Sequence, residues 1–189
     1  MGRVSPKKLL TFCTVAILVA AIGVYAYLQS LPQAGPRASI TSPPLEFSIE
    51  LAKTEFQQTE NITMRFCLKN IGNATIRVIK PSMWVIDPHD STVTTEADGA
   101  STPDDPRELS VLFHFGFCVT DSNGTEVYKV TEGKFLMICY IDLEPNGYVK
   151  QTLVWNYYYI YGSPLPKGTY QIRGIFKSLE TPSIAFMIM

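Results

Sequence analysis

"LEFSIELAKTEFQQTENITMRFCLKN", residues 45–70, decides the fold. Leu45, Phe47, Ile49 and Leu51 alternate with polar or small residues, and after a polar interval Ile62, Met64, Phe66 and Leu68 do the same. Successive side chains of an extended chain point to opposite faces, so each run reads as a strand with one apolar face. The pattern recurs. "VLFHFGFCV" (111–119) aligns Phe113, Phe115, Phe117 and Val119, and "YVKQTLVW" (148–155) aligns Val149, Leu153 and Trp155. Further runs are "KFLMICYIDL", "TYQIRGIF" and "SIAFMIM". Nothing from residue 45 onward sustains a helical period, and turn signals divide the chain at "NIGNAT" (70–75), "DSNG" (121–124), "EPNG" (144–147) and "LPKG" (165–168). Many short one-faced strands predict an all-β sandwich, and roughly 145 residues suffice for its core.

One hairpin can be placed in register. With Asn123 and Gly124 at the centre of a type I′ turn, Ser122 faces Thr125, Val119 faces Tyr128 and Phe117 faces Val130.

Upstream, the 189-residue chain changes character. Residues 1–8 carry Arg3, Lys7 and Lys8, and residues 9–28, "LLTFCTVAILVAAIGVYAYL", hold no charge. Twenty residues at ~1.5 Å rise cross a ~30 Å hydrocarbon core as one transmembrane helix. The run exceeds a usual signal-peptide apolar region, which favours an uncleaved anchor, although "VYA" (24–26) has the spacing of a cleavage site. Basic residues before the span and only Arg37 soon after it place the N-terminus in the cytoplasm and the C-terminal domain outside the cell membrane. Residues 29–44, with four prolines, read as a stiff linker, so the expected domain is 45–189.

Three of the sixteen Lys and Arg precede the span. The remaining thirteen, against seventeen Asp and Glu, leave a net charge of -4 after residue 28, the wrong sign for a nucleic-acid partner. The segment 87–108, "DPHDSTVTTEADGASTPDDPRE", is expected to be a solvated acidic loop inserted in the sandwich, and it matches no calcium-loop pattern. No zinc-protease, phosphate-loop or nucleophile-elbow motif occurs, and His89 and His114 are the only histidines, so neither catalysis nor a cofactor is expected.

Cys67, Cys118 and Cys139 lie beyond the span, which allows one disulfide at most, with the pairing open. Alternation puts Cys67 and Cys118 opposite the apolar stripes, so burial is not their obvious reason. His114 and Cys118 share a strand face, the basis of a third-ranked reading as a copper electron-transfer domain, but the Cys-x-His-x-Met order is missing. Three sequons, at Asn61, Asn73 and Asn123, are candidate N-glycosylation acceptors, with turn formation as the alternative role of these Asn and Thr residues.

"LEFSIELAKTEFQQTENITMRFCLKNIGNATI", "FHFGFCVTDSNGTEVYKV", "LEPNGYVKQTLVW" and "PLPKGTYQIRGIF", in that order, resemble the immunoglobulin-like domain of the intracellular proteinase inhibitor (BsuPI) family from about Leu45 to Met189. The resemblance implies an immunoglobulin-like β-sandwich and, less directly, proteinase inhibition; no segment matches a defined reactive loop. The preferred function is therefore a non-catalytic, membrane-tethered binding module with an exported or cell-surface protein as partner, and the alternative is a proteinase inhibitor of the BsuPI type. "WNYYYIYG" (155–162) carries the candidate contact residues Tyr157, Tyr158, Tyr159 and Tyr161. Trp155 reads as a buried strand end, and the four tyrosines either cap an open end of the sandwich or present rings to a partner.

Overall fold

The computed structural model describes residues 35–79, 91–101, 115–130, 140–156 and 165–189. Over these residues the chain forms β1 (Arg37–Ser42), β2 (Leu45–Leu51), β3 (Glu55–Phe56), β4 (Ile62–Asn70), β5 (Ile76–Ile79) and β6 (Ser91–Ser101). It continues with β7 (Gly116–Asp121), β8 (Glu126–Val130), β9 (Tyr140–Trp155), β10 (Gly168–Phe176), β11 (Leu179–Glu180) and β12 (Ile184–Ile188). The compact unit runs from Gly35 to Met189. The expected membrane span 9–28, the basic segment 1–8, His89, His114, Cys139 and Tyr157–Tyr161 lie outside the described residues. Among the described residues no helix is long and apolar enough to cross a membrane.

The strands form two sheets. The first runs β1-β2-β4-β9, with β5 and β6 also on β9; the second runs β3-β12-β10-β7-β8, with β11 on β10. All pairings are antiparallel except that of β12 with β3. Because β6 pairs with both halves of β9, β4 and β5 must share the other edge of that strand.

The apolar stripes read from the sequence meet between the sheets. Phe47, Ile49, Leu51, Ile62, Met64, Phe66, Leu68, Phe115, Phe117, Val119, Val149, Leu153 and Trp155 are all buried in one core. Aromatic rings bridge the layers: Phe47 of β2 lies 5.8 Å from Phe176 of β10, and Trp155 of β9 lies 5.2 Å from Phe117 of β7. Area removed from water on both inner faces drives this arrangement.

Four expectations need correction. First, residues 37–42 are not linker: β1 pairs with β2 from Arg37↔Glu50 to Ser42↔Leu45, so the domain begins some ten residues before Leu45. Secondly, the segment 87–108 is not simply a loop. Its centre is β6, paired along β9 from Ser91↔Trp155 to Ser101↔Asp142. The strand is polar because it lies at the edge of the sheet, and its inward Thr95 meets a polar partner, Gln151, rather than an apolar one.

Thirdly, "EPNG" does not reverse the chain. Residues 144–147 bulge out within β9 at the level where β6 shifts register between Asp98 and Ala100. Gly99 and Gly147 meet there, and a Cβ on Gly147 would overlap the Gly99 carbonyl oxygen. Finally, the β7–β8 hairpin keeps the expected Val119↔Tyr128 and Phe117↔Val130 pairs but not Ser122↔Thr125, because the register shifts after Val119. Only Gly124 takes positive φ (80°), and the Gly124 amide donates to the Asp121 carbonyl (3.0 Å). The Asp121 carboxylate accepts the Asn123 and Thr125 amides, each at 2.8 Å, which selects a type I turn closed by a glycine bulge over the type I′ turn.

Candidate binding surfaces

The tyrosine-rich segment joins the two sheets. It leaves the first sheet at Trp155, which is 0 % exposed, and the chain enters the second through Leu165 and β10. Trp155 stacks on Tyr128 of β8 (ring centroids 4.7 Å) and abuts Phe117 edge-on. On the return side the Leu165 side chain is buried and its carbonyl accepts a hydrogen bond from Gln58 Nε2 (3.3 Å). The Tyr170 hydroxyl donates to the Pro166 carbonyl (2.8 Å). Ring packing fixes the Trp155 root, packing and hydrogen bonding fix the Leu165 root, and the burial of Trp155 agrees with its place in the alternation.

The sequons fall in three different connections of the chain. Asn61, Asn73 and Asn123 are all exposed, before β4, between β4 and β5, and at the tip of the β7–β8 hairpin. Asn61 adjoins the Ile62↔Trp155 pair, so it lies at the end of the sandwich where the tyrosine-rich segment begins.

The outward face of the first sheet was not anticipated as a site. Its middle rows are a lattice of cross-strand neighbours: Glu50 beside Arg65 and Thr152, and Ser48 beside Cys67 and Lys150. Thr94 and Glu96 of β6 extend these two rows. Opposite charges meet across strands, as Arg65 with Glu50 (3.1 Å), Arg37 with Glu46 (3.3 Å) and Lys150 with Glu96 (3.7 Å). Tyr148 donates its hydroxyl to Glu96 (2.9 Å), and that hydrogen bond holds its phenol proton above the ordinary range. Where the short side chains of Ser48, Cys67 and Thr152 stand among these long ones, the face sinks into a hollow of ≈ 370 Å³. Burial pushes the Cys67 thiol up from its usual range, opposed by the nearby charges of Lys150 and Arg37, so the sulfur stays protonated. The alternation of small and long outward residues in "FSIEL" and "RFCLK" is the signal that could have located the hollow.

Cys67 and Cys118 are both free thiols, on different sheets. Cys118 corrects an expectation. It does face away from the core stripe, paired with Arg173 and Lys129, yet it is buried, and its Sγ lies 3.6 Å from Glu126 Oε2. The long neighbouring side chains cover the small thiol. Among the described residues no group of three or more His, Cys, Asp or Glu is placed to hold a metal ion.

Compared with protein-family models and with curated proteins, the chain matches none.

Proposed function

We propose that the chain is a non-catalytic interaction module of immunoglobulin-like type, held outside the cell by the span at 9–28, and that Tyr157, Tyr158, Tyr159 and Tyr161 present their rings to an exported or cell-surface protein. The observation that carries this reading is the rooting of the tyrosine-rich segment: it links the two sheets at one end of the sandwich, between a buried Trp155 and a buried Leu165. Recognition loops on a rigid two-sheet scaffold are built this way, and tyrosine supplies large contact area at small conformational-entropy cost. The hydrogen bond from the Tyr170 hydroxyl to a carbonyl four residues upstream supports the immunoglobulin-like assignment, since sandwiches of that type fix a corner of the chain with the same contact. Exposed Asn61, Asn73 and Asn123 suit glycosylation of an exported domain.

The test uses the full chain solubilised in detergent. Replacing Tyr158 and Tyr161 together with Ser should abolish recovery of the co-purifying protein while leaving the melting temperature unchanged. A large fall in melting temperature would assign the rings to the fold, and retained recovery would remove them from the contact. Inhibition of a protease panel by the same preparation would support the BsuPI-type reading instead.

A further inference from the structure

The hollow on the first sheet has the features of a built site. Ser48 sits at its floor, 4 % exposed, and its hydroxyl has no hydrogen-bond partner among the described residues. The hydroxyl opens on the hollow without a protein partner, so its hydrogen bonds are left for a ligand or water to complete. Its cross-strand neighbour, the Cys67 thiol, faces the same space. The volume of ≈ 370 Å³ falls at the small end of ligand pockets, enough for one compact ligand unit.

Electrostatics restricts the ligand. The rim carries Arg37, Arg65 and Lys150, but each is already in an ion pair with a carboxylate, Glu46, Glu50 or Glu96. Each cation is already balanced by a carboxylate, so the rim offers an incoming ion no surplus of opposite charge. The paired groups nevertheless keep unused capacity: a guanidinium has five N–H donors, and a carboxylate about four acceptor positions. Around the hollow, donors and acceptors therefore stand side by side, each cation paired with a carboxylate. A hydroxyl group both donates and accepts, so a ligand bearing several on one ring meets this pattern without disturbing any ion pair.

We propose that this hollow binds a neutral saccharide unit, with the Ser48 hydroxyl and Cys67 thiol at its floor and the paired Arg65, Glu50, Lys150 and Glu96 around it. The site is separate from the tyrosine-rich segment, so it stands or falls independently of the protein-partner reading.

The experiment follows alkylation of Cys67 by iodoacetamide, peptide by peptide, in the full chain held in a detergent without a sugar head group. The probes are lactose, cellobiose and N,N′-diacetylchitobiose, with inorganic phosphate as the anionic control. At least one saccharide should slow Cys67 labelling saturably, about tenfold at ten times its dissociation constant. Cys118 labelling should not change. The Ser48→Val variant, whose branched side chain suits a strand and fills the floor, should lose that protection while its melting temperature is kept. Protection retained in the variant, protection by phosphate alone, or no protection by any of the three saccharides would each overturn the proposal. Should Ser48→Val not fold, Ser48→Ala, which removes only the hydroxyl, should weaken that protection several-fold, and unchanged protection in Ser48→Ala would overturn the proposal.

Discussion

Asn70 is fully buried, and its side chain is the pin of the first sheet. Its Nδ2 donates toward the carbonyls of Ala74 (2.8 Å), Leu143 (2.9 Å) and Glu144 (3.0 Å), while its Oδ1 accepts the Gly72 amide (2.9 Å). The side chain therefore replaces ladder bonds where β4 ends and β9 bulges. Removing it would strand buried carbonyls, which costs far more than the net worth of a hydrogen bond. Asn70→Ala is expected to lose about 3 kcal/mol in a urea titration. Asn70→Asp, the same shape without the donor, should lose at least as much, because a carboxylate repels the three carbonyl oxygens. A loss under about 1 kcal/mol in both would show that water satisfies the kink. Gln151 plays a related part, its Oε1 accepting the Phe115 amide (3.3 Å) and its Nε2 reaching Thr95 (3.2 Å). Neither role was legible. An Asn before "IGNAT" looks like turn chemistry, and a Gln between Val149 and Leu153 looks like an error in an apolar stripe, until the partners that satisfy them are known.

Strands differ in how far they declare themselves. β2, β4 and the second half of β9 could be read directly, because one wholly apolar face imposes strict alternation. β6 could not, since an edge strand whose inward residues include threonine buries little and shows little pattern. The joint bulge of β6 and β9 also escapes sequence reasoning, because it depends on two glycines distant in the chain, Gly99 and Gly147, coming into contact. Comparing two glycines tests this. Gly147→Ala would drive its Cβ into the Gly99 backbone and should cost about 3 kcal/mol. Gly124→Ala meets nothing within 4 Å and should cost only the strain of its positive φ, about 1 kcal/mol. Equal losses in thermal unfolding would mean that the bulge can relax.

Across the whole molecule, the last strand closes the second sheet from within. β12 lies between β3 and β10, with Ile184, Phe186 and Ile188 buried, and its parallel partner β3 is far away in sequence. A core completed by pairings of such long sequence separation forms only once the loops between them have closed, a topology that favours slow folding in general. Removing residues 184–189 should therefore abolish the cooperative unfolding transition rather than shift it. A truncated chain that still melts sharply would show that the first sheet and β7, β8 and β10 suffice for a core.

What the sequence determined by itself is the local physics: the period-two faces, the positions of most turns and the apolar segment at 9–28, all of which depend on neighbours along the chain. Tertiary structure decided the rest. It drew residues 37–42 into β1, made an edge strand of an acidic segment, let β9 run through an apparent turn, exchanged a type I′ hairpin for a bulged one, and opened a hollow between Ser48 and Cys67. Each of these is settled by which residues lie across a strand boundary, and cross-strand neighbours are chosen by the packing of two sheets, not by order in the chain.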